Sequence, residues 1–287
     1  VCAAHMLIAV PMETMNLLAL FSATFTLLLV LHFVRLLRTK PMEATAAGLQ
    51  HGRISDEPLT DAQREKLGGF VQTSLGKEFG RDGCLRALFT CHFDETSTVK
   101  LLRATLEWHK KYMPITPADL ENSLPSQCWV PGGITKTGWP ILECHASRWR
   151  PFAYSNDEQH RLVGFLFNHA LQSHPKAERL CILCDMSGWS LAFAKPEPMV
   201  KILTLVSLAQ NEFCERIGAV IVVNVPTVLW GTFAVLKPLI HARIAPRVVL
   251  YGSEWRAAVS AQIDDDNLPE TLGGRRKETP FLTRQVR

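Results

Sequence analysis

From residue 126 onward, short apolar runs alternate with longer segments of helical periodicity, and no other feature constrains the fold as much. Trp139–Glu143, Leu180–Asp185, Ala219–Asn224 and Arg247–Tyr251 read as strands. Residues 156–173, 199–214, 227–241 and 253–263 read as the helices between and after them. Strand and helix in alternation specify an α/β layer on a largely parallel or mixed sheet. With 287 residues, 47% of them hydrophobic, the chain can bury a large core of this kind.

The first 112 residues have a different pattern. Between Glu13 and Arg35 lie 21 uncharged residues, enough for a helix of roughly 31 Å against a hydrocarbon core of about 30 Å. Residues 1–40 are therefore expected to be an N-terminal membrane anchor with one transmembrane helix. Arg35, Arg38 and Lys40 follow the run and no Lys or Arg precedes it, which places the remainder in the cytosol. A buried core helix is the competing reading, because Ser22, Thr24 and Thr26 weaken the span.

Residues 41–58, rich in Gly, Pro and small side chains, read as a linker. Residues 59–112 read as a small helical subdomain. Thr60 is the candidate N-cap of a helix that runs to Phe79, Gly80 to Gly83 break it, and Cys84–Phe93 and Glu95–Lys111 continue the pattern. Residues 120–274 hold the larger domain and 275–287 a polar tail.

The residues do not recommend catalysis. Gly133–Gly138 has the spacing of a phosphate loop, but Trp139-Pro140 stands where Lys-Ser/Thr belongs, so a turn between strands is expected. Cys181 and Cys184 form a CxxC inside a strand, where positions i and i+3 face opposite ways. Asp185-Met-Ser-Gly188 after a strand reads as a turn. The ten histidines are not grouped at ligand spacing, and no nucleophile, base and orienter come together. No catalytic residue, metal or cofactor is expected. The net charge of +4 and the absence of a basic stripe argue against nucleic acid as a partner.

Phe213-Cys-Glu-Arg-Ile-Gly218 poses a sharper question, since it sets charge directly before an apolar strand. Together with Ile221-Val-Val-Asn-Val-Pro226, Leu236-Lys-Pro-Leu239, Val249-Leu-Tyr-Gly252 and the Leu-Pro to Gly-Gly run at 268–274, it forms an ordered set. Earlier pieces agree: Leu101–Trp108, Gly138-Trp-Pro140 and Asp185-Met-Ser-Gly188. Over roughly residues 59–274 this set resembles the CRAL-TRIO lipid-binding and lipid-transfer family, including its phosphatidylinositol-transfer-protein-like members.

The resemblance implies an α/β CRAL-TRIO lipid-binding fold, a mixed sheet with flanking helices around an apolar pocket, behind the helical subdomain. It implies a lipid-binding or transfer protein, not an enzyme, that takes a phospholipid such as phosphatidylinositol from a membrane surface. On this reading Glu215 and Lys237 bind the head group. The alternative is that both serve the fold. Residues 227–240, with Trp230, Phe233 and Leu236, are expected to be a mobile gate helix or, alternatively, an ordinary core-packing one. Family alternatives for the ligand are a small hydrophobic molecule of the retinoid or tocopherol type, and outside the family a membrane scaffold that transfers nothing. Leu85–Phe93 keeps Arg86 but has Phe89 and Cys91 where phospholipid-binding relatives have further basic residues.

Overall fold

The computed structural model describes residues 54–227, 229–230 and 240–281. Residues 43–226 and 237–287 belong to one compact unit, and the elements below lie in it. Thr227, Leu229 and Trp230 belong to a second unit, where they are helical and Leu229 and Trp230 are half-buried.

Three helices come first, α1 (Asp61–Gln72), α2 (Ser74–Thr90) and α3 (Glu95–Tyr112). Each has a capping residue that local sequence supplies. Thr60 and Gln63 form a reciprocal capping box, Thr73 accepts from the Gly76 amide, and Asp94 accepts from the Ser97 amide, so orphan N–H groups at each start are satisfied. Thr73 splits the long helix expected to run to Phe79, and Gly80, at φ 66°, adds a kink inside α2. Leu67, Phe70, Leu85, Leu88, Phe89 and Leu102 form the subdomain core, which Ile54 and Cys214 join from outside the three helices.

Five strands follow: β1 (Trp129–Ile134), β2 (Pro140–His145), β3 (Leu180–Asp185), β4 (Ile217–Val223) and β5 (Val248–Leu250). They lie in that order in one sheet. β1 runs antiparallel to β2, and the remaining pairs are parallel. Gly138, at φ 84°, turns the chain between β1 and β2, so the Gly133–Gly138 motif is a hairpin connection. Gly218 allows close packing, since a Cβ there would stand 2.5 Å from the Trp139 ring.

Helices α4 (Asn156–Ser173) and α5 (Pro196–Asn211) connect the parallel strands, and α6 (Arg256–Ser260) follows them. Strands added in one direction through right-handed crossovers put their helices on one side of the sheet. Accordingly α4 packs on β2 and on α5. The other side carries the main core, where Ile141, Leu183, Ile221 and Val249 meet Trp255, Val259, Ile263, Leu268 and Leu272.

One sequence expectation is corrected. No helix among the described residues is long and apolar enough to cross a membrane. The most apolar, α5, has only 16 residues and carries Glu197 and Lys201, well short of the roughly 20 apolar residues a span requires. The transmembrane helix expected over residues 1–40, and with it the single-pass anchored localisation, therefore has no support among the described residues. Residues 1–53 themselves lie outside the described residues.

Candidate lipid-binding site

Side chains alternate between the faces of a strand, and register then aligns them into rows across the sheet. On the helix-crossover face, Leu142, Ile182, Val220 and Val248 form one row and Cys144, Cys184, Val222 and Leu250 the next. No charged side chain stands in either row. Cys144, Cys184, Val220 and Val222 are only half-buried, while their neighbours on the opposite face, Asp185 excepted, are buried. Above this face, Ile202, Leu203, Leu205 and Val206 of α5 are also apolar and half-buried. The sheet thus has one closed face and one apolar face left incompletely covered.

Three thiols gather on the open face. Cys144 stands beside Cys184 in register, and its Sγ lies 3.9 Å from Cys128 Sγ. Interactions with Cys128 and Cys184, together with burial, hold the Cys144 thiol well above its ordinary pKa. The cluster is thus a neutral, weakly polar part of an apolar surface.

Glu215 occupies a different place. Arg179 directly precedes β3, Arg247 directly precedes β5, and Glu215 stands two residues before β4. The three therefore line up along one edge of the sheet. Glu215 Oε2 accepts from Arg247 at 2.8 Å and from Arg179 at 3.2 Å, and Oε1 accepts from Arg243 at 2.5 Å. Glu57, from the segment before α1, joins both Arg179 and Arg243 at 2.9 Å. Arg179, Glu215 and Arg247 are each 3% exposed or less. Burial works to raise the Glu215 pKa, but hydrogen bonds and charge from Arg243 and Arg247 outweigh it and hold the carboxyl below its ordinary range. Charge before the apolar strand is thus the centre of a five-residue ion network.

Asp185 holds a turn. It accepts from the Ser187 amide and from Asn224 Nδ2, whose Oδ1 in turn accepts from Trp255 Nε1 at 2.8 Å. This chain joins the ends of β3 and β4 to the helix region after β5. Of the other expected site residues, Trp230 is helical and half-buried, while Phe233, Leu236 and Lys237 lie outside the described residues. Sequence reasoning missed the arginine partners of Glu215, although a charged residue before each of three apolar runs was the available signal.

The ordered motifs, sheet topology and apolar face agree with one comparison in particular: the family model described as CRAL/TRIO domain matches residues 125–274. The chain belongs to the CRAL/TRIO family. Lipid binding or transfer is the function of that family.

Among CRAL/TRIO relatives, the alpha-tocopherol transfer protein-like proteins of Mus musculus and Homo sapiens are each 28% identical, over 77% and 80% of this chain. The chain spans 65% and 68% of their length. SEC14 cytosolic factor of Eremothecium gossypii is 26% identical over 97 residues, 34% of this chain and 31% of that protein. The crystal structure of Sfh5 superposes with a TM-score of 0.52 at 14% identity, covering 78% of this chain and 91% of that one; it supports the fold alone.

Proposed function

We propose that this protein binds one small hydrophobic molecule of the tocopherol or retinoid type on the open face of β2, β3 and β4, and takes it up from or releases it to a membrane surface. The observation that carries the reading is the pair of uncharged rows in which Cys144, Cys184, Val220 and Val222 keep partial exposure, beside an opposite face that is more completely covered. Apolar surface in contact with water costs about 25 cal/mol per Å², so a face of this kind favours an apolar occupant. Relatives with tocopherol in their names align with about four-fifths of the chain, whereas SEC14 cytosolic factor aligns with one-third.

Residues 227–240, with Trp230, Phe233 and Leu236, are proposed to close over the ligand. Membrane contact has separate support in an exposed apolar patch. Leu191 is 69% exposed, Phe152 52% and Val200 47%. Trp149 and Phe193, whose ring centroids are 4.9 Å apart, join the segments that carry Phe152 and Leu191, and Val200 lies in the first turns of α5. Arg150 and Lys195 are exposed nearby in sequence, the mixture of apolar and basic groups that suits an anionic bilayer surface.

Phosphatidylinositol is the second reading, supported by the order of the family motifs around Glu215 and Lys237. It requires Glu215 to exchange an arginine for inositol hydroxyls, which makes it the costlier arrangement. Incubating the full chain with vesicles containing α-tocopherol, retinol and phosphatidylinositol, then identifying the bound molecule by native mass spectrometry, separates the readings. We expect a tocopherol or retinoid adduct. Phosphatidylinositol bound by wild type and lost from a folded Glu215→Gln/Lys237→Ala variant would select the second reading, and no adduct would overturn both.

A further inference from the structure

Glu143 and His145 are two residues apart on β2 and so share a face, the closed one opposite the proposed ligand floor. Glu143 is 1% exposed and His145 4%. Glu143 Oε2 and His145 Nε2 are both buried without a hydrogen-bond partner, and they lie 3.9 Å apart. Glu278, from the segment after the family domain, places Oε1 3.3 Å from the same His145 nitrogen. One donor atom from each of the three residues lies within 4.8 Å of the others. Orphaned buried polar atoms are costly, and here they converge on one point.

The surroundings orient the three donors. Glu143 Oε1 is held by Arg276 at 2.5 Å, and Glu278 Oε2 by Arg148 at 2.7 Å. Arg148 also reaches Glu278 Oε1, at 3.1 Å. Arg276 fixes the far oxygen of Glu143 as the outer partner of a metal ligand does, and Arg148 holds the Glu278 carboxylate by both oxygens. Asp185 stands opposite His145 in the β2–β3 register. Three carboxyl groups and two guanidiniums therefore surround the imidazole.

We propose that Glu143, His145 and Glu278 bind a divalent transition-metal cation of the zinc class, which fastens the C-terminal segment to the sheet. One imidazole nitrogen with two carboxylate oxygens is a donor set that zinc accepts, with water as a fourth ligand. Calcium and magnesium require more oxygen donors than the three residues offer. Tetrahedral zinc with bonds of about 2.1 Å places its ligand atoms about 3.4 Å apart. His145 Nε2 stands 3.3 and 3.9 Å from the two carboxylate oxygens, close to that value, and all three donor atoms lie within 4.8 Å of one another.

The segment is already placed for this role. Arg276 bonds through its backbone to Leu268 and Glu270, and Phe281 packs between Phe165 and His169. A bound cation would tie Glu278 to two strand residues more than 130 positions earlier and so stabilise the native chain by mass action.

The test is a Zn²⁺ titration of full-length protein stripped with chelator, using competition with a metal-sensitive dye. We expect one saturable site whose affinity falls by at least about tenfold in His145→Ala and in Glu278→Gln, while His174→Ala leaves it unchanged. Because His145 is buried, Glu278→Gln, on a partly exposed residue, keeps the test valid if His145→Ala fails to fold. Zn²⁺ should also protect residues 275–281 from proteolysis in wild type and not in Glu278→Gln. Absence of saturable binding, or binding that Glu278→Gln does not weaken, would overturn the site.

Discussion

Replacing Glu215 with Ala is expected to destabilise the protein by about 3–5 kcal/mol, the cost of leaving buried charges uncompensated. Its carboxylate is the common partner of Arg179, Arg243 and Arg247, and the first and last of these are 0% and 2% exposed. Removing it takes the shared carboxylate from two buried guanidiniums, of which Arg179 keeps an ion pair with Glu57. Glu57 bonds Arg179 and Arg243 but has no contact with Arg247 among those described. Conversely, Glu57→Ala removes a carboxylate that is 26% exposed, and it should cost markedly less. Denaturant unfolding of both variants checks the order, and equal effects would remove Glu215 from the centre of the network.

The same network fixes an acid limit. The pKa of Glu215 and that of Glu57 are both lowered in the native state, because the arginines outweigh the effect of burial. A carboxyl whose folded pKa is depressed contributes stability that is present above its unfolded value and is lost as pH falls through its folded one. Stability should therefore fall below about pH 4.5, near the unfolded glutamate value, and the fall should be shallower in Glu215→Gln, measured from its own lower baseline.

The second large effect concerns the ligand. Val222→Lys sets an ammonium in the middle of the uncharged row formed by Cys144, Cys184 and Leu250. Val222 is half-buried, so the lysine can extend into open space when no ligand is present, and the fold should survive. With an apolar molecule above it the charge would be desolvated without a partner, at a cost of several kcal/mol. Ligand affinity should fall by about a hundredfold or more, while Val222→Leu stays near wild type. A folded Val222→Lys variant that binds normally would place the ligand elsewhere.

Much of the architecture was legible because periodicity and punctuation agreed. Leu180–Asp185 and residues 156–173 match the expected bounds to the residue, since one is a continuous apolar run and the other an amphipathic pattern, which in the structure Ser155 caps. Strand β1, Trp129–Ile134, was missed. Its Pro131, Gly132 and Gly133 contradict strand propensity, and an edge strand with an irregular register accommodates them. Helix α5 starts at Pro196, three residues before the expected Met199, because proline is favoured at the first turn.

The Glu143 and His145 cluster could not be read from spacing. The strand containing them appeared to end at Glu143 because two polar residues terminated the apolar pattern. Their partners Arg276 and Glu278 come from distant positions, both in the tail expected to be polar, and Arg148 holds Glu278 in place. Likewise, the Glu215 motif was legible, but its partners come from positions 57, 179, 243 and 247, which only the sheet brings together.

Thiol labelling tests the central claim most directly, because the open face carries its own probes. Cys144 and Cys184 stand in one row of that face, whereas Cys181 is buried on the other. Burial pushes the Cys181 pKa far above its ordinary value, which makes it a slow-reacting internal control. Full-length protein, with and without bound α-tocopherol, would be treated with excess N-ethylmaleimide and each cysteine quantified by peptide mass spectrometry. We expect Cys184 to be labelled in the empty protein and protected in the loaded one, with Cys181 unlabelled in both and Cys144, whose thiol is also held well above its ordinary pKa, reacting slowly. Ligand binding that leaves labelling of Cys184 unchanged would contradict the assignment of this face.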